Sequence, residues 1–162
     1  MYQITKGVGY LHDNLILHGD INPKNIVLMG CDDYMPSPRI IDLGHAQIFK
    51  PNQDGKYICT CNRCTAHFSA PEILNRQPHS FSSDIYSLGA TFYFMITKEI
   101  PPKEGEPAHF GGTNGHNLPQ SGKNLIRKML DLNPQSRPTI KQVLESDFFK
   151  ETILNDIEWV KK

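Results

Sequence analysis

The sequence predicts a mainly α domain with a small β-hairpin. Apolar residues recur at helical spacing in several segments. Two short apolar runs flank a stretch rich in Gly, Asp and Pro. One run, Ile85 to Ile96, is apolar nearly all round, as a helix buried on most sides would be. A length of 162 residues suits one domain with a real core.

The elements follow in chain order. Residues 2 to 14 read as a helix, with Ile4, Val8 and Leu11 at helical spacing and Tyr10 added to the apolar side. Gly7 and Gly9 oppose it, each by roughly 1 kcal/mol against Ala. A turn begins at Asn14. Strands are expected over Asn25 to Met29 and Arg39 to Asp42, with Gly30 to Pro38 as the hairpin loop. From His45 to Phe68 no period is evident, which reads as a long functional loop. Pro71 opens a short helix. Ser82, Ser83 and Asp84 offer caps for the apolar helix that runs to about Thr97. Residues 99 to 119, rich in Pro, Gly and His, read as an irregular loop. A helix then starts at Gln120 or Ser121, carries Leu125, Ile126, Met129 and Leu130 on one face, and ends at Asn133-Pro134. Thr139 caps another helix bearing Ile140, Val143 and Leu144. A last helix is expected from Lys150 to Val160, docked by Trp159.

Charge excludes some functions. Seventeen basic and 17 acidic residues cancel, and no Lys/Arg cluster offers a nucleic-acid surface or a polybasic membrane patch. Ile85 to Ile96 is too short to span a bilayer. Met1 to Leu17 lacks the basic start and apolar block of a signal peptide. The expected location is therefore intracellular, cytoplasmic or nuclear, with Cys31, Cys59, Cys61 and Cys64 reduced. Cys59-x-Cys61-x-x-Cys64-x-x-His67 holds four zinc-ligand types, but one residue between the first pair is tight for a zinc knuckle. Reduced thiols are the preferred reading.

The chemistry concentrates in His18-Gly19-Asp20-Ile21-Asn22-Pro23-Lys24-Asn25 and Ile40-Ile41-Asp42-Leu43-Gly44. One carboxylate can orient a hydroxyl, while an amide and a second carboxylate can hold magnesium on a nucleoside triphosphate. An ordinary polar turn is the plain alternative for the first segment. At these motifs the chain resembles the eukaryotic protein kinases, with their H-R-D-L-x-x-x-x-N catalytic loop and D-F-G metal loop. Small-molecule kinases resembling the aminoglycoside phosphotransferases carry a similar H-G-D-x-x-x-x-N, which Gly19 fits better. Later residues favour the protein kinases. Ser69-Ala70-Pro71-Glu72 matches the A-P-E that closes the activation segment. Asp84-Ile85-Tyr86-Ser87-Leu88-Gly89 looks like the start of the central helix, and Arg137 matches the arginine that pairs with the A-P-E glutamate. Ile21 to Asn25 resembles the L-K-P-E-N of serine/threonine kinases, and Cys64-Thr65-Ala66-His67-Phe68 sits where they carry G-T-P-x-Y.

The resemblance runs from the first helix to Phe149. It implies the C-terminal lobe of a serine/threonine kinase, one partial domain over 1–162 with its activation segment at about 42–72 and the N-terminal lobe absent. It implies ATP and Mg2+ as cofactors, and a protein substrate or regulatory protein as partner, with no nucleic acid and no membrane. Asp20 would be the catalytic base or hydroxyl orienter, and Asn25 and Asp42 the magnesium ligands beside the nucleotide. Thr65 would bond Asp20 and shape the substrate pocket. Glu72 and Arg137 would clamp the activation segment, Asp84 would anchor the catalytic loop, and His18 would pack beneath it. His12 reads as structural.

Two residues depart from the family. Asn22 replaces a lysine that contacts the transferring phosphate, and a neutral amide cannot supply that charge. Gly19 replaces an arginine that grips an activation-loop phosphate, so phosphorylation at Thr60 or Tyr57 lacks an obvious receiver. The family's glycine-rich loop, strand lysine and helix glutamate precede the catalytic loop, and the 17 residues before His18 do not hold them. The alternatives are a catalytically impaired, pseudokinase-like scaffold that acts by protein binding, or a truncated product.

Overall fold

A computed structural model describes residues 1–30, 37–49, 65–102, 108–111 and 117–152. Helix α1, Tyr2–Asp13, buries Ile4, Thr5, Val8, Gly9 and His12. Tyr10, expected on the apolar side, is instead 69% exposed. The glycines that weaken α1 are packing devices. A Cβ on Gly9 would touch Leu144 and Ile140, and one on Gly7 would press to 3.1 Å from Ile40. Their absence lets a later helix and a strand lie close against α1.

After α1 come β1, Ile16–Leu17, and a 3-10 turn at Pro23–Asn25. Strand β2, Ile26–Met29, pairs antiparallel with β3, Ser37–Ile40, in the register Ile26↔Ile40 to Met29↔Ser37. The second strand starts and ends about two residues earlier than its apolar run implies. Pro38 fits because each strand of a two-stranded ladder is an edge. Asp42 turns out of the ladder with φ +64. A further strand, β4, Gln47–Ile48, pairs antiparallel with β1 inside the segment expected to be loop. Two residues are too few to show a period, and the partner lies some 30 positions upstream. The single expected hairpin is therefore two antiparallel pairs.

Helix α2, Pro71–Leu74, opens at its proline. Helix α3, Phe81–Thr97, is capped by Ser80, whose Oγ accepts from the Ser82 amide at 3.4 Å. The expected caps Ser82, Ser83 and Asp84 lie inside the first turn, which frees the Asp84 carboxylate for other partners. Ile85, Leu88, Phe92 and Tyr93 of α3 lie in the core. Helix α4, Gln120–Met129, crosses α3 and ends before Asn133-Pro134, which starts a second 3-10 turn, Pro134–Ser136. Helix α5, Ile140–Leu144, carries a complete capping box: Thr139 Oγ1 accepts from the Gln142 amide, and Gln142 Oε1 accepts from the Thr139 amide. Residues 147–152 form α6, beginning before the expected Lys150, and its Phe149 is buried against Tyr2. Trp159 and the four cysteines lie outside the described residues.

The described parts of 99–119 are irregular but belong to the core. Ala108 and Phe110 are buried, and Arg127 stacks 5.1 Å over the Phe110 ring. The Tyr93 hydroxyl donates to His109 O at 2.7 Å. Burial, joined by the Glu99 charge, raises the Tyr93 phenol above its ordinary value. Among the described residues no helix is long and apolar enough to cross a membrane.

Helices α3 and α4 approach closely at Gly89, where a Cβ would stand 2.7 Å from Met129 Cβ. Gly89→Ala is expected to push α3 and α4 apart and destabilise the domain by about 1–3 kcal/mol. Urea denaturation followed by circular dichroism checks this, and an unchanged midpoint would refute it.

Candidate active site

The site is assembled on the first turn of α3. Asp84 is 1% exposed. Its Oδ2 accepts from the His18 amide at 2.9 Å and its Oδ1 from the Gly19 amide at 3.0 Å. His12 Nε2 on α1 lies 3.0 Å from Oδ2. The chain can present two consecutive amides to one carboxylate because Gly19 adopts φ +79, where an L side chain is strained. A Cβ on Gly19 would also meet His45 O at 2.7 Å.

His18 is fully buried. Its Nδ1 accepts from the Asp20 amide at 3.3 Å, which leaves Nε2 to donate to Ile41 O at 3.2 Å. The ring thereby ties the loop to the backbone just before Asp42. Ile41 in turn donates its amide to Asn25 O at 2.9 Å.

Asp20 is held from both sides. Thr65 donates to Oδ1 at 2.9 Å, and Asn25 Nδ2 donates to Oδ2 at 3.0 Å and to Asp20 O at 2.8 Å. Asn22 is 2% exposed and braces the same group: its Nδ2 reaches Asp20 O at 3.1 Å and Thr65 Oγ1 at 3.2 Å. Its Oδ1 accepts from the Lys24 amide at 2.9 Å and caps the 3-10 turn. The Asn22 amide is thus spent inside the loop. Ser69 Oγ donates to Thr65 O at 3.1 Å and steadies Thr65 from behind.

Asp20, Asn22, Asn25 and Thr65 therefore converge. Asp42 does not bond to them: it is exposed, and its Oδ1 accepts from the Gly44 amide at 3.0 Å. It stands one residue beyond the amide held by Asn25. Among the described residues nothing donates to Asn25 Oδ1, and only Gly44 donates to the Asp42 carboxylate. Hard oxygens left free in this way fit Mg2+, which takes one or two protein ligands alongside phosphate and water. Among the described residues no group of three or more His, Cys, Asp or Glu side chains could hold a metal ion.

A buried Glu–Arg charge pair also frames the site. Arg137 Nη1 and Nη2 donate to Glu72 Oε1 and Oε2 at 2.6 and 2.9 Å. The same guanidinium donates to Asp131 O at 2.7 Å and Ser82 O at 3.0 Å, and lies 4.9 Å over the Tyr86 ring. It joins α2 to α3 and to the turn before α5. Sequence reasoning missed Tyr86, Asp131 and the orientation of Asn22. It also missed His45, whose Nδ1 lies 4.0 Å from Asp20 Oδ2. Its only sequence signal is its place directly after Asp42-Leu43-Gly44.

Comparison with known proteins shows the family of the chain. The protein kinase domain model matches residues 1–149. The chain is 36% identical over 157 residues to Serine/threonine-protein kinase plk-1 of Caenorhabditis elegans, covering 92% of this chain and 23% of the relative. It is 32% identical over 173 residues to Ribosomal protein S6 kinase alpha-6 of Homo sapiens, covering 96% and 23%. It is 34% identical over 160 residues to Ribosomal protein S6 kinase alpha-1 of Rattus norvegicus, covering 90% and 21%. The chain belongs to the protein kinase family. It spans less than a quarter of the length of each of these relatives.

Arg137→Ala leaves the buried Glu72 without its partner and is expected to cost about 3–5 kcal/mol. Arg137→Lys keeps the charge but loses the two-pronged bond, so it should recover only part of that loss. Thermal unfolding of both variants checks the order, and equal stability of Arg137→Lys and the parent chain would refute it.

Proposed function

We propose that this chain carries the catalytic floor of a serine/threonine protein kinase, which moves the γ-phosphate of ATP to a protein hydroxyl. The observation that carries this reading is the Asp20 carboxylate, fixed by Thr65 and Asn25 with Asn22 behind it. A carboxylate held in this way can accept the hydrogen bond of an incoming Ser or Thr hydroxyl and aim its oxygen at phosphorus. The new O–P bond forms as the bond from phosphorus to the β-phosphate oxygen breaks and ADP leaves, and the hydroxyl proton passes to Asp20 or to an oxygen of the transferred phosphoryl group. Asn25 and Asp42 would hold magnesium, which neutralises phosphate charge when bound. Asn22 acts as a brace and supplies no charge to the phosphoryl group. The name of one matched relative, Serine/threonine-protein kinase plk-1, supports serine/threonine specificity, and Thr65 would shape the acceptor site. Elements gripping the nucleotide from the opposite side would complete the cleft.

Calorimetric titration with ATP and Mg2+, followed by transfer of labelled phosphate to a generic Ser/Thr acceptor, tests the reading. Asp20→Asn is expected to lower transfer by about 100-fold or more while ATP binding persists. A folded chain that neither binds ATP nor transfers phosphate would favour a scaffold instead.

Gly19 leaves no side chain at the position that receives an activation-loop phosphate in the family. Activity is therefore expected to survive phosphatase treatment unchanged. Abolished activity after dephosphorylation, checked by mass spectrometry, would overturn this.

A further inference from the structure

We infer that His45 is a positioning residue for Asp20, bracing Oδ2 through its Nδ1. The assignment rests on the reading of Asp20 as the carboxylate that orients the substrate hydroxyl. His45 Nδ1 lies 4.0 Å from Asp20 Oδ2, with side-chain exposures of 26% and 15%. That nitrogen is buried and has no hydrogen-bond partner among the described residues. A buried polar atom without a partner is costly, and the Asp20 carboxylate 4.0 Å away is able to satisfy it.

The placement is built into the backbone on both sides. The His45 carbonyl occupies the space that a side chain on Gly19 would need. The turn closed by the Ala46 amide on Leu43 O leads directly into β4, which is paired to β1. Gly19 is thus the residue that admits His45 to the loop. No other cationic side chain among the described residues lies within ion-pair distance of Asp20, and Asn22 cannot serve because its amide is already engaged. Asp42, three residues before His45, is turned to the Gly44 amide.

At 4.0 Å the two groups interact as a charge pair when the ring is protonated. A side-chain rotation closing about 1 Å would make a hydrogen bond from Nδ1. With Thr65 on Oδ1 and Asn25 and His45 on Oδ2, the carboxylate is held in one orientation towards an acceptor hydroxyl.

Two measurements on the full chain test this. In long-range 1H–15N spectra at pH 7, His45 should carry a proton on Nδ1, and Asp20→Asn should abolish that preference. A ring protonated only at Nε2, or one indifferent to Asp20→Asn, would overturn the inference. This readout needs no enzymatic activity, so it stands apart from the proposed function. In the transfer assay, His45→Ala should lower kcat by about tenfold with KM for ATP and acceptor unchanged. His45→Asn, whose amide nitrogen is attached where Nδ1 is, should recover most of the loss. A changed KM with unchanged kcat, or no recovery in His45→Asn, would count against a positioning role. Absence of transfer in the parent chain would defeat the proposed function, and the spectra would still decide the pairing.

Discussion

A carboxylate buried at the start of α3 organises the site. Asp84 draws the His18 and Gly19 amides and the His12 ring onto one group, and so ties α1, the polar loop and α3 together. Removing such a charge from water is expensive, by several kcal/mol. Hydrogen bonds to a charged acceptor contribute about 1.5–3 kcal/mol each, so two amides and an imidazole can offset that cost. A single bond could not. The constraint then propagates: with the His18 and Gly19 backbone fixed, His18 reaches Ile41 O, and the segment bearing Asp42 is held next to Asn25.

The Glu72–Arg137 pair plays the matching part through Ser82 O in the first turn of α3. Its guanidinium spends donors on a carboxylate and on backbone carbonyls from separate segments, so no charge is left bare. Helix α2 is only one turn long and has little core of its own. Its attachment depends on that pair, and through Ser69 it bears on Thr65. The two buried pairs thus set the loop bearing Asp20 and the segment bearing Thr65 against each other. The polar contacts between them follow from that placement.

Much of the fold was legible in the residues. Long helices announce themselves by period, so α1, α3 and α4 stand close to their expected bounds. Local chemistry located Pro71 at the start of α2 and Thr139 as a cap. Failures occur where the deciding partner is remote. Tyr10 fits the helical pattern but faces solvent, because the space beside α1 is filled by α5 and β3. Ala108 and Phe110 look like part of a polar loop, yet Tyr93 and Arg127 draw that loop into the core. Ser80 takes the cap, which leaves Asp84 for the loop.

The sequence by itself determined the helical class of this protein, its family and the residue types at the candidate site. These rest on short-range periods and on motifs whose members lie within a few positions of one another. Only the tertiary structure decided that β4 exists, that Asn22 points inward as a brace, and that His45 faces Asp20. Each depends on contacts between segments roughly 25 to 45 positions apart. Such contacts leave no local period, because their energy is gained only after the chain has closed on itself.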